Sequence, residues 1–181
     1  MAKKTFPKKY FVIAALLLLI GIIGLLFVRQ SGTSPVADLS RPAEENFAAP
    51  GRDYPSEKKV EDYFVSNLRM TPEEAQGIRS KPGVDGKVML RLSADATIEG
   101  LLGNLEYYGL VRDKDALRYA LENTADTLPG RTDALKVGDN TVDKYAYYRI
   151  SEDMTAWEIA DELLNNPTYF AYDEYHYLFM P

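Results

Sequence analysis

Arg149–Leu163 reads RISEDMTAWEIADEL, and Arg91–Leu105 reads RLSADATIEGLLGNL. Laid over one another, the two segments share Arg, Ser, Asp, Thr and Leu at the same offsets and exchange Leu for Ile at two more. Strand-forming residues lead into each: KVMLRL over Lys87–Leu92 and KYAYYRI over Lys144–Ile150. A short polar turn follows, then a threonine suited to capping a helix N-terminus, then apolar residues at helical spacing. The pattern predicts one device used twice: a strand ends, the chain reverses, and a capped helix returns its apolar face to the strand.

The flanking sequence fills in the order. Ile98, Leu101, Leu102, Leu105 and Tyr108 make one helical face, closed by Gly109 with Leu110 behind it as in a Schellman cap. Asp113 caps a further helix with Leu117, Ala120 and Leu121 inward. Thr124–Asp143 is polar, carries Pro129, Gly130 and Gly138, and reads as a loop. In the last helix Ala156, Ile159, Ala160 and Leu163 face inward, behind a Thr155/Glu158 capping box. The expectation is an α+β unit of order β-α-α-β-α. Upstream, Val60, Tyr63, Phe64 and Leu68 give an amphipathic helix, and Thr71-Pro72-Glu73-Glu74 starts another. The tail TYFAYDEYHYLF alternates and reads as a strand.

The N-terminus differs in kind. Phe11–Val28 is an uncharged run of 18 residues, preceded by four lysines and followed by Arg29. As a helix it would be ~27 Å long, near the ~30 Å hydrocarbon core of a bilayer. Its flanks place residues 1–10 in the cytoplasm as a basic tip and the remainder outside the cell membrane, giving a single-pass protein with the lipid bilayer as a partner. A cleaved signal peptide is the rival, but its apolar core is usually shorter and its cleavage site closer. Residues 29–56, with four prolines, read as a linker, 57–85 as a helical lead-in and 86–181 as the main domain.

Composition narrows the function. All 27 acidic residues and 16 of the 21 basic ones lie beyond Gln30, so the body is acidic and lacks the basic stripe that nucleic acid requires. With no cysteine and one histidine there is no thiolate metal site, no cysteine nucleophile and no His-rich metal site, and no cofactor is called for.

The segment YRISEDMTAWEIA (Tyr148–Ala160) resembles the strand–turn–helix that opens a LysM module, with Asp153-Met154 where that family has Gly-Asp before the threonine. The wider order resembles the membrane-proximal part of the endolytic murein transglycosylases (the YceG-like family). The shared features are a basic tip, an apolar helix, a linker, a "GL[IV]" turn at YYGLV (Tyr107–Val111), and an "MT..EIA..L" helix at Met154, Thr155, Glu158, Ile159, Ala160 and Leu163. The resemblance implies a small LysM-like β-α-α-β-α domain facing the cell wall, positioned on peptidoglycan glycan strands. It also implies that the catalytic domain, which in that family follows the point where Met180-Pro181 stands, is absent. No catalytic residue carries over.

On this reading the glycan contacts come from the turns after the two strands, at Ser93, Asp95, Thr97, Asp153 and Thr155, with Thr124–Asp143 as a further wall. Trp157 reads as core and His176 as a tail residue, and Asp161/Glu162 and Glu73/Glu74 as solvated charges. Two rival functions stand beside glycan binding. One is a fragment of a lytic transglycosylase that cleaves the glycan strands; the other is a non-catalytic module that recruits wall-synthesis or division proteins.

Overall fold

Four of the helices begin where a side-chain oxygen satisfies the first free backbone N–H groups. A computed structural model describes residues 41–80, 85–169 and 178–179. A short 3-10 turn (Glu44–Phe47) precedes α1 (Val60–Leu68) and α2 (Pro72–Ile78). Strand β1 (Val88–Arg91) leads through the Thr97 cap into α3 (Ile98–Tyr107), and Asp113 caps α4 (Lys114–Asn123). A hairpin follows, β2 (Leu135–Val137) and β3 (Asn140–Val142). Strand β4 (Tyr147–Ile150) then leads through the Thr155 cap into α5 (Ala156–Asn165), and β5 is Leu178–Phe179.

The duplicated device is present in both places. Thr97 Oγ1 accepts the Gly100 N–H at 3.1 Å, and Thr155 Oγ1 accepts the Glu158 N–H at 3.2 Å. The two strands pair side by side and antiparallel, from Val88 opposite Ile150 to Arg91 opposite Tyr147. Strand β5 adds to the other side of β1 in parallel, giving the order β4-β1-β5. Val88, Leu90 and Leu92 meet Tyr148 and Ile150 on one sheet face. Against them pack Leu102 and Leu105 of α3, Leu117 and Leu121 of α4, and Ile159 and Leu163 of α5. The Schellman closure of α3 also forms: the Leu110 N–H donates to the Leu105 carbonyl at 2.8 Å around Gly109 at φ 71°. A Cβ there would lie 2.5 Å from Ser56 Oγ, so this position needs glycine for contact as well as for conformation.

Three expectations need correction. The transmembrane helix is not part of the described architecture. Among the described residues no helix is long and apolar enough to cross a membrane: the longest have ten residues, ~15 Å against a ~30 Å core. Phe11–Val28, like the basic tip, lies outside the described residues. What remains of the expected fold class is a small α+β domain.

The β-α-α-β-α order is also incomplete. Thr124–Asp143 is not all loop but holds the β2–β3 hairpin, turning at Gly138-Asp139 with Gly138 at φ 58°. Nor do residues 41–56 behave as a linker. Phe47 is 2% exposed, stacks on Trp157 at 5.3 Å between ring centroids, and meets Tyr119 edge-on at 5.8 Å. Arg112 donates to the Ala49 carbonyl, and the Gly51 N–H donates to the Glu152 carbonyl at 2.8 Å. Proline content signals extended chain, but extended chain can be pinned by one buried ring.

Of the tail, Thr168 bridges to Tyr147 and Leu178–Phe179 pair with β1. His176 lies outside the described residues.

Candidate functional site

Antiparallel pairing decides which of the expected glycan residues can act together. The turn after β1 leaves the sheet beside the start of β4, while the turn after β4 leaves beside the start of β1. The two turns therefore lie at opposite ends of the sheet. Ser93, Asp95 and Thr97 come together at one end; Asp153 and Thr155 are at the other.

The first end is a groove. Its floor is Leu90, Leu92 and Leu101, and its walls are Arg91, Ser93, Asp95, Ala96, Thr97, Gly100 and Asn104, around a cavity of about 200 Å³. Ser93 Oγ donates to Asp95 Oδ1 at 2.6 Å. That hydrogen bond, with help from the Asp95 backbone N–H and the charge of Lys144, holds the Asp95 carboxyl below the usual carboxylate range. It is thus an acceptor at neutral pH and carries no proton to give a leaving group. Ser93, Thr97 and Asn104 add donors and acceptors suited to hydroxyl and amide groups. The chain entering β4 is tied to the same turn. Lys144 Nζ donates to the Ala94 carbonyl at 3.1 Å, and the Tyr145 N–H donates to the Leu92 carbonyl at 3.2 Å. The run Lys144–Ile150 predicts a strand throughout, yet Tyr145 stands outside β4 at φ 63° and is 48% exposed.

The second end is a joint. Glu152 is 2% exposed and forms a two-pronged ion pair with Arg79, likewise 2% exposed, with Nη1 to Oε1 at 2.7 Å. Arg79 also donates from Nε to the Gly86 carbonyl at 3.0 Å, tying the end of α2 to the start of β1. Burial alone would raise the Glu152 carboxyl, but the Arg79 hydrogen bonds and charge outweigh it and hold it below its usual range. Thr155 is occupied by its capping box, in which Glu158 Oε2 accepts the Thr155 N–H at 2.8 Å. Asp153 is exposed and does not line the groove at the first end.

Glu162, read as a solvated charge, is instead partly buried and accepts the Arg149 N–H at 2.8 Å. Burial pushes its carboxyl above the usual range. It lines a polar cleft of about 460 Å³ with Lys87, Arg149, Asn165, Asn166 and Thr168. Its offset in the duplicated device is that of Asn104, and this alignment was the one sequence signal that it faces the strand. Trp157, expected in the core from its spacing, is partly buried and packs against the core, stacked on Phe47. Among the described residues no group of three or more histidine, aspartate or glutamate side chains could hold a metal ion.

No protein-family model matches the chain, and no curated protein or solved structure matches it either.

Proposed function

We propose that the domain is a non-catalytic carbohydrate-binding module that sits on the glycan strands of peptidoglycan at the cell wall, as the likeness of its motifs to LysM-type sequences implies. The observation that carries the reading is the shallow groove at the β1–α3 turn. It combines an apolar floor with uncharged donors and acceptors at Ser93, Thr97 and Asn104 and an acceptor carboxylate at Asp95. Acetamido and hydroxyl groups match those polar groups, and the apolar face of a sugar ring matches the floor. A groove this small buries little of its ligand, so a single site binds weakly.

Sedimentation of the full chain with insoluble peptidoglycan tests the proposal. Retention that persists in 1 M salt and falls in Asn104→Ala and Ser93→Ala supports it, because hydrogen bonding in a groove is screened far less than charge attraction between exposed groups. Retention no greater than that of an unrelated acidic protein, or unaffected by both substitutions, refutes it.

A further inference from the structure

The polar cleft that Glu162 lines shares no residue with the groove at the β1–α3 turn. Its charges come from two elements. Lys87, just before β1, and Arg149, within β4, bring positive charge from the sheet. Glu162, Asn165 and Asn166 belong to the end of α5, where the last carbonyl groups of a helix add partial negative charge to the carboxylate. The sheet side is therefore positive and the helix side negative.

These groups keep unused bonding capacity. Glu162 Oε1 accepts the Arg149 N–H at 2.8 Å, whereas Oε2 accepts no hydrogen bond from a described residue. The Lys87 ammonium makes no hydrogen bond or ion pair with a described residue, although its charge reaches Glu162. Burial holds the Glu162 carboxyl above its usual range in spite of that charge, the mark of a carboxylate short of donors.

The balance of charge decides the ligand. Arg149 is paired with Asp85, and Lys87 is offset by Glu162, so the cleft is dipolar without a net charge. A phosphate or sulfate would suit Lys87 but be repelled by Glu162. A ligand bearing both signs close together suits both sides. The cleft, about 460 Å³, is of a size that takes small molecules.

We propose that this cleft binds an α-amino acid end, in which an ammonium and a carboxylate share one carbon. The carboxylate meets Lys87 and the ammonium meets Glu162 Oε2. The end belongs either to a free amino acid or to a longer molecule that carries it. The site stands apart from the glycan-binding reading above.

The test is NMR titration of the full chain with Nε-acetyllysine, its isomer Nα-acetyllysine, and alanine, beside thermal unfolding of each variant. Nε-acetyllysine should shift the backbone amide signals of Lys87, Arg149 and Glu162 saturably. The isomer has the same mass and charge but separates the ammonium from the carboxylate, and should bind about tenfold more weakly. Alanine binding as well as Nε-acetyllysine would assign a free amino acid; much weaker binding would assign a longer molecule, and both support the proposal. Lys87→Gln and Glu162→Gln should each weaken Nε-acetyllysine about tenfold at pH 7 with no loss of melting temperature, and Lys87→Arg should retain it.

Equal affinity for the two isomers, or no saturable shift from either, would overturn the proposal. Loss of binding only in step with melting temperature would overturn it too, by marking structural residues. The probes carry no sugar, so their failure and a failure of peptidoglycan retention are separate results.

Discussion

Replacing Glu152 by Gln gives the sharpest test of how the domain is joined. The Arg79–Glu152 pair is buried on both sides, and Glu152 takes two of the hydrogen bonds that Arg79 donates. Glutamine fills the same space but leaves the guanidinium without its counter-charge; Glu61, at 3.5 Å, is the next carboxylate in reach. Breaking a buried pair from one side costs about 3–5 kcal/mol. For a domain of this size that lowers the melting temperature by roughly 10–15 °C.

The pH dependence follows from the direction of the shift. The Glu152 carboxyl titrates lower folded than unfolded, so its contribution is complete above the unfolded carboxylate range. It fades as pH falls through the lowered value. The gap between the two proteins, read by near-ultraviolet circular dichroism, should therefore be full at pH 7 and close only in strong acid. The double substitution Arg79→Met/Glu152→Leu should recover most of the loss, since apolar residues of similar volume replace buried pairs at little cost. A Glu152→Gln loss under about 1 kcal/mol at pH 7 would refute the reasoning.

Three further outcomes follow from the geometry. Thr155→Ala removes a helix cap and should cost about 1 kcal/mol in denaturant unfolding while leaving peptidoglycan retention unchanged, because Thr155 lies away from the groove. Gly103 sits inside α3 with nothing within 4 Å of where a Cβ would be, so Gly103→Ala should stabilise by about 0.5–1 kcal/mol in the same assay. Glu162, whose carboxyl titrates higher folded than unfolded, favours the fold most below the unfolded value and loses that advantage as pH rises through the folded one. Glu162→Gln, which still accepts the Arg149 N–H, should therefore gain stability relative to the parent as pH rises from 4 to 7, measured by thermal scans.

The helices were legible because their signals are local. Thr71, Thr97, Asp113 and Thr155 each cap the helix that the sequence assigns to them, since a cap needs only the next three residues. The hairpin was legible in principle: Leu135, Val137 and Val142 flank Gly138-Asp139, a two-residue turn signal, but the proline and glycines around it masked so short a pattern.

Three features needed the third dimension. That Phe47 docks on Trp157 depends on contact across more than a hundred residues, which no periodicity records. The burial of Glu152 depends on where Arg79 arrives from another helix. The site was half legible, because the duplicated turn predicts two sets of polar residues and only the pairing direction of β1 and β4 reveals that they lie at opposite ends of the sheet. That β4 begins only at Tyr147 was hidden inside a run of strand-formers by a single left-handed residue, Tyr145.

The duplicated device also tells a protein engineer where the chain will accept variety. One copy of the hinge, at 151–154, is clamped by an internal charge pair; the other, at 93–96, is more open to solvent and is held by the Ser93–Asp95 bond and by bonds from the Lys144 side chain and the Tyr145 main chain. Randomising Ser93–Ala96 while freezing Ser151–Met154 would confine a selection for new binding specificities to the half of the repeat that carries no buried ion pair.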